Sequence, residues 1–170
     1  MKTPKIPLEC VLALQPACLR VLVPQSYADR NGHMNMRHYV GIFDDAGDIP
    51  GSGLYARLGL TPEFHQEHST TTMDLEFHIS FVNEVMPGHA VAVYFRLTGC
   101  SSKLLHYLMF MVDEHHGRVS AIFECVNAFV DLGTRRIAPY PPVIKQRLDE
   151  IVARHQQLEW PPPLCGAMQV

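Results

Sequence analysis

From Met73 to Phe81 apolar and polar side chains alternate without a slip: Met73, Leu75, Phe77, Ile79 and Phe81 against Asp74, Glu76, His78 and Ser80. A period of two puts one set on each face of a strand, so this segment predicts a half-buried β-strand. Met86-Pro87-Gly88 turns the chain, and Val91, Val93, Phe95 and Leu97 repeat the alternation. Leu104 to Val112 is almost continuously apolar, the pattern of a central strand covered on both faces. Asp113 to Gly117 reads as a turn and Arg118 to Val130 as a further strand. These strands are long, about 9–13 residues where five or six is usual. Leu19 to Val23 is a shorter β-prone run that Pro24 closes.

A helical period appears between the first strand and the long ones. Met36, Tyr39, Val40 and Phe43 recur at i, i+3, i+4 and i+7, with Asn35 as N-cap, Asp45 on the opposite face and Asp44 on the flank. Pro50-Gly51-Ser52-Gly53 breaks this helix, and Leu54 to Leu58 forms one further turn. Pro141-Pro142 opens a last amphipathic helix with Ile144, Leu148, Ile151 and Val152 on one face. The order is strand, helix, four long strands and a C-terminal helix. It predicts an α+β domain in which consecutive strands pair antiparallel and the sheet covers the helix. Residues 1–17 read as an irregular arm, 18–158 as one domain, and 159–170, with Trp160-Pro161-Pro162-Pro163, as an irregular tail.

Bulk composition narrows the functional classes. At 170 residues, 47% apolar and 18% charged, the chain is a globular domain able to bury a core. A net charge of −3 without a basic block excludes the electrostatic footprint of a nucleic-acid binder. The five cysteines form no CxxC pair and read as free thiols of a reducing compartment. Two prolines and Glu9 interrupt the N-terminus, which is too short in apolar residues for a signal core or membrane span. The expectation is a cytoplasmic protein that makes no membrane contact.

Candidate chemistry concentrates in Asp29-Arg30-Asn31-Gly32-His33-Met34-Asn35, directly before the helix. It carries a carboxylate, an amide and an imidazole at alternate positions. A carboxylate beside the free N–H groups of a helix start can activate a nucleophile while the helix end stabilises an oxyanion. Asp29 alone would be equally explained as a turn-capping residue. Asn31 orients a water or the Asp29 carboxylate, or simply forms the turn. His33 polarises a substrate oxygen, holds Asp29, or is structural. Asn35 is first of all a cap, and the backbone N–H groups near Met36 and Arg37 are the oxyanion donors.

One helix followed by long antiparallel strands, with Asp-x-Asn-Gly-His-x-Asn entering the helix, resembles the hotdog-fold thioesterases. More narrowly it is similar to the 4-hydroxybenzoyl-CoA-thioesterase-like branch, and the Asp29, Asn31, His33 spacing is also similar to that of plant acyl-carrier-protein thioesterases. Downstream, Leu58-Gly59-Leu60-Thr61-Pro62, Phe81-Val82-Asn83-Glu84-Val85, Lys103-Leu104-Leu105-His106, Val130 to Arg136 and Pro139-Tyr140-Pro141 resemble the betainyl-CoA thioesterases of carnitine-catabolism operons. The resemblance implies a long antiparallel sheet wrapped around one central helix and hydrolysis of an acyl-CoA thioester without a cofactor. It also implies a homodimer or dimer of dimers, with Glu84 matching a glutamate of the plant site. Asp29 would then be nucleophile or general base, with Asn31, His33 and Glu84 in the site and Asn35, Met36, Arg37 and Tyr39 against substrate. For a quaternary ammonium acyl group, Tyr39, Phe43, Tyr55, Phe77 and Phe81 offer aromatic faces, and Asp44 or Glu76 a counter-charge. Pro50 to Gly53 departs from the relatives and puts the acyl group in question.

Other constellations are weaker. His65-x-x-His68 and His115-His116 are the close histidine pairs in loop-like segments, each lacking an evident third ligand, so no metal site is expected. Cys100 and Cys125 read as small core residues. Glu124, in an apolar strand, needs a partner if buried. Two rival functions share the fold. Enoyl-CoA hydratases resemble Asp-x-Asn-Pro-x-His, whereas here four positions separate Asp29 from His33 and no proline intervenes. A non-catalytic acyl-CoA-binding module would not need the intact Asp29.

Overall fold

The computed structural model describes residues 6–14, 16–168 and 170. Six strands form one sheet: β1 (Leu19–Leu22), β2 (Thr70–Phe81), β3 (Ala90–Cys100), β4 (Leu104–Asp113), β5 (Arg118–Asp131) and the two-residue β6 (Arg136–Ile137). The order is β1-β3-β4-β5-β2, with β6 on β5. β1 runs antiparallel to β3 in the register Leu19 to Val93 through Leu22 to Ala90. The long strands therefore lie where the apolar patterns predict them, and β4 is buried on both faces as its almost continuous apolar run requires.

Two expectations about the sheet need correction. β2 does not pair with its neighbour in sequence, β3, because the free edge of β3 belongs to β1 and β2 occupies the far edge beside β5. The eight residues Val82–His89 are long enough to carry the chain across, where a two-residue hairpin would not be. Nor is β2 half-buried: Met73, Leu75, Phe77 and Phe81 are 51, 47, 50 and 47% exposed. On this edge strand the apolar row stays about half exposed to solvent.

Two compact units are traced. The first comprises Met1–Leu54, Ile79–Phe95 and Met109–Phe123. Its helix α2 (Met36–Asp48) starts on Asn35, whose side-chain oxygen accepts from the Arg37 N–H at 3.2 Å. The buried face is Tyr39, Ile42, Phe43, Ala46 and Gly47. It is rotated from the predicted one, leaving Met36 64% exposed and Val40 half-buried. Phe43 stacks on Phe123 with centroids 5.1 Å apart. Each such buried side chain contributes about 1.5–3 kcal/mol of transfer free energy. Beyond the helix, a Cβ on Gly53 would meet the carbonyls of Gly47 and Ile49 at 2.6 Å. Only glycine lets the chain fold back this closely after Pro50. The arm is not wholly irregular, since α1 (Leu8–Leu12) forms behind Pro7 and buries Val11; Met1 to Lys5 and Gln15 lie outside the described residues.

The second unit comprises Tyr55–His78, Arg96–Leu108 and Glu124–Val170. α3 (Leu54–Leu58) is the expected extra turn. Its continuation, expected as a loop, is the helix α4 (Pro62–His68), capped by Thr61 Oγ1 on the Phe64 N–H with Pro62 in the first turn. That is a start signal the apolar periodicity alone does not reveal. α5 (Pro142–Gln156) buries Ile144, Leu148, Ile151 and Val152, as predicted. Glu124 finds its partners: Oε1 lies 2.9 Å from His106 Nε2, and Oε2 accepts from the Cys165 N–H at 2.6 Å. Arg96, 4% exposed, donates to the carbonyls of Trp160 and His155 and lies 4.3 Å over the Trp160 ring. These bonds hold the strand-free tail against its own unit. Cys125 is buried as expected, but Cys100 is half-buried with Sγ 3.2 Å from Asp149, and burial pushes its thiol up to about 11.

Candidate active site

Residues 28–34 form a closed loop. The Asp29 N–H donates to the His33 carbonyl at 2.8 Å, the Gly32 N–H to the Asp29 carbonyl at 3.1 Å, and an isolated bridge joins Ala28 to Met34. Gly32 sits at φ +89, a conformation that glycine adopts without strain. The loop is anchored to its unit through the Met34 N–H on the Val85 carbonyl (2.8 Å) and the Asn35 N–H on the Tyr27 carbonyl (2.9 Å). Asp29 and His33 are thereby delivered at the start of α2, as the sequence spacing suggests.

Asp29, His33, Met34, Met36, Tyr39, Phe81, Val82, Asn83 and Glu84 line a cleft of about 310 Å³. That is the small end of the range for ligand pockets. Asp29 Oδ1 accepts from the Asn31 N–H at 2.7 Å, the bond of the turn-capping reading, while the side chain also lines the cleft. His33 Nε2 lies 3.3 Å from Glu84 Oε2 of the same chain. The Tyr39 hydroxyl accepts from the Val85 N–H at 3.1 Å, and its ring meets Phe81 edge-on at 5.1 Å. Burial raises its phenol above the usual value, so the proton stays on.

Asn31, Asn35 and Arg37 do not line the cleft. Asn31 acts through its backbone, Asn35 through its cap, and Arg37 turns its guanidinium to the His38 ring at 3.1 Å. The two expected oxyanion donors are not equivalent. The Arg37 N–H is taken by Asn35 Oδ1 and the His38 N–H by the Asn35 carbonyl, which leaves the Met36 N–H without an acceptor among the described residues. The acids lining the cleft are Asp29 and Glu84, and neither Asp44 nor Glu76 is among them. Of the aromatics, Tyr39 and Phe81 line it, while Phe43 is in the core and Phe77 on the exposed face of β2.

Sequence reasoning overlooked one grouping. His89, immediately before β3, comes together with His115 and His116 of the β4–β5 turn around the fully buried Asp113. The third imidazole is remote in sequence from the pair, and no local spacing signals it. His65 and His68 instead lie on α4, bonded to Thr70 Oγ1 and the Phe64 carbonyl.

Comparison with known proteins places this geometry. The chain is 27% identical over 140 residues to the L-carnitine dehydrogenase/betainyl-CoA thioesterase of Rhizobium meliloti (strain 1021), covering 82% of this chain and 27% of that protein. The chain thus spans about a quarter of the length of the curated relatives it matches. Among solved structures, a Staphylococcus aureus protein in complex with CoA superposes with TM-score 0.77 at 20% identity, covering 89% of this chain and 93% of that one. A putative thioesterase from Pseudomonas putida KT2440 gives 0.72 at 26% identity, covering 92% and 98%. These neighbours share the hotdog fold, a curled antiparallel sheet with its helix. Residues 23–148 match the family model of the Thioesterase-like superfamily, and the chain belongs to that family.

Proposed function

We propose that the protein hydrolyses an acyl-CoA thioester to the free acid and CoA, with Asp29 as the group that acts on the thioester. The observation that carries this reading is the convergence of Asp29, His33 and Glu84 with the unused Met36 N–H on one cleft. Asp29 Oδ1 is held by the Asn31 N–H, so the second oxygen is the reactive one. It attacks the thioester carbon itself, or takes the proton of a water that does. Either route puts negative charge on the carbonyl oxygen, where the Met36 N–H at the positive helix end stabilises it. Collapse expels the CoA thiolate, giving the free acid where water attacked, or a mixed anhydride on Asp29 that a water then hydrolyses where the carboxylate attacked. His33, oriented by Glu84, polarises the carbonyl or protonates the leaving sulfur.

The wider reading is a homodimer. β2 is an edge strand with an exposed apolar row, and edge strands of this kind pair with another chain or are covered. A second copy across β2 satisfies both demands in an isologous contact.

Thiol release from a panel of short, branched, cationic and aromatic acyl-CoAs tests the activity. Asp29→Asn keeps the shape and removes the charge, and turnover should fall by about two orders of magnitude or more, the scale of losing a general base. Unchanged turnover in the folded variant rejects the assignment. Acyl-CoA binding without thiol release would mark a binding module instead.

A further inference from the structure

We propose that His89, His115 and His116 form a binding site for a divalent transition metal such as Zn²⁺, with Asp113 as the carboxylate behind it. One ring nitrogen from each histidine lies within 4.8 Å of the others. The three rings face one another, with centroids 4.6 Å apart for His89–His115, 4.8 Å for His89–His116 and 4.7 Å for His115–His116. Tetrahedral zinc with Zn–N bonds of about 2.0–2.1 Å needs nitrogens about 3.4 Å apart. His115 and His116 are on the exposed side of the cluster, where their side chains have room to rotate toward that separation.

A carboxylate that orients metal-binding imidazoles is the second requirement of such a site. Asp113, fully buried, meets it. Its Oδ2 lies 3.1 Å from His89 Nδ1 and 2.8 Å from His116 Nδ1. In the tautomer in which each Nδ1–H donates to Oδ2, Nε2 of both rings is the nitrogen with a lone pair. Oδ1 is engaged by the His115 N–H at 3.0 Å, which fixes the turn that carries the other two ligands. Arg118 Nε lies 3.8 Å from Oδ2, and its Nη2 is drawn away to the Glu84 carbonyl at 3.1 Å. Glu114, next in sequence, is paired with Arg20 at 3.0 Å.

Turn capping by Asp113 accounts for the backbone bonds but not for three imidazoles gathered against one another from two separate turns. Three imidazoles with an outward side left for water suit zinc, copper or nickel and not calcium or magnesium. A metal here ties the segment before β3 to the β4–β5 turn, next to the Glu84–Arg118 bond. Its role is to brace that end of the first unit, while the thioester chemistry stays at Asp29.

The test uses the full chain, stripped with chelator, equilibrated with Zn²⁺ and freed of excess by gel filtration. Elemental analysis should give one zinc per chain, thermal unfolding should move upward, and Co²⁺ should develop a visible ligand-field spectrum. The exposed pair His115→Gln/His116→Gln should lose all three signals, whereas His65→Gln/His68→Gln should keep them. Asp113→Asn should weaken zinc about ten- to hundredfold. Thiol release by the metal-free His115→Gln/His116→Gln protein should equal that of the metal-free parent. No stoichiometric zinc in the parent, or zinc retained by His115→Gln/His116→Gln, overturns the site.

Discussion

His33 Nε2 and Glu84 Oε2 lie 3.3 Å apart, one at the end of the Asp29 loop and the other just past β2. Both side chains are substantially solvated, so the pair contributes at most about 1 kcal/mol to folding. Under the proposed mechanism its consequence is orientation: the imidazole is aimed by a carboxylate that is not the one acting on substrate. Glu84→Gln should leave the melting temperature nearly unchanged and lower kcat about tenfold or more, the scale of disturbing a proton-transfer group. A full-activity Glu84→Gln protein would remove Glu84 from the site.

Gly32→Ala probes the loop itself. At φ +89 an added Cβ meets nothing within 4 Å, so the cost is purely that of the backbone conformation. It should be about 1–2 kcal/mol, read as a lower denaturation midpoint. Because the same loop carries Asp29 and His33, kcat should fall as well. Loss of stability with unaltered kcat would show that the loop adjusts without moving either residue.

The sequence states periodicities plainly and juxtapositions poorly. β2 to β5 and α5 were legible because each buries or alternates side chains over many residues. The Asp29 loop was legible because its polar groups and its helix cap are contiguous. Partnerships between distant residues were not. Nothing local to Phe81-Val82-Asn83-Glu84 says that Glu84 returns to His33, or that His89 joins His115 and His116. α2 was found with its buried face turned, because Met36 is apolar yet lines the open cleft and does not enter the core. β2 failed for a related reason: alternation reports which face is apolar and not which molecule covers it.

That uncovered face makes a prediction of its own. Phe77→Glu places a charge in the middle of the apolar row without touching the cleft lining. The parent should sediment as a dimer or larger assembly and Phe77→Glu as a monomer with reduced turnover. A parent that is monomeric and fully active would exclude the dimer.

His155 sets a pH dependence of stability. Its Nδ1 accepts from the Leu97 N–H at 2.9 Å, and burial, with Arg154 and Arg96 nearby, lowers its pKa to about 4. The unfolded histidine titrates near 6.5, so between these values the unfolded chain binds the extra proton. The contribution is complete above pH 6.5 and is lost as pH falls toward 4. The urea midpoint should therefore drop from pH 7 to pH 4.5, and His155→Asn, whose amide oxygen can take the same N–H, should flatten that slope. An identical slope in His155→Asn would assign it to other groups.

The acyl group is the last matter the cleft bears on. Its lining brings the Tyr39–Phe81 edge pair together with the carboxylates of Asp29 and Glu84. Aromatic faces and acids in one small cleft suit a compact cation, and a quaternary ammonium gains about 0.5–2 kcal/mol from such a surface. At 1.4 kcal/mol per factor of ten, that is a preference of about two- to thirtyfold. Betainyl-CoA should therefore show the higher kcat/KM against its neutral, nearly isosteric tert-butylacetyl analogue, and Phe81→Leu should narrow the gap by weakening the cation alone. Equal or better cleavage of the neutral ester would discard the cation reading. What stands then is a thioesterase for short or branched acyl groups, selected by the volume of the cleft and not by its charge.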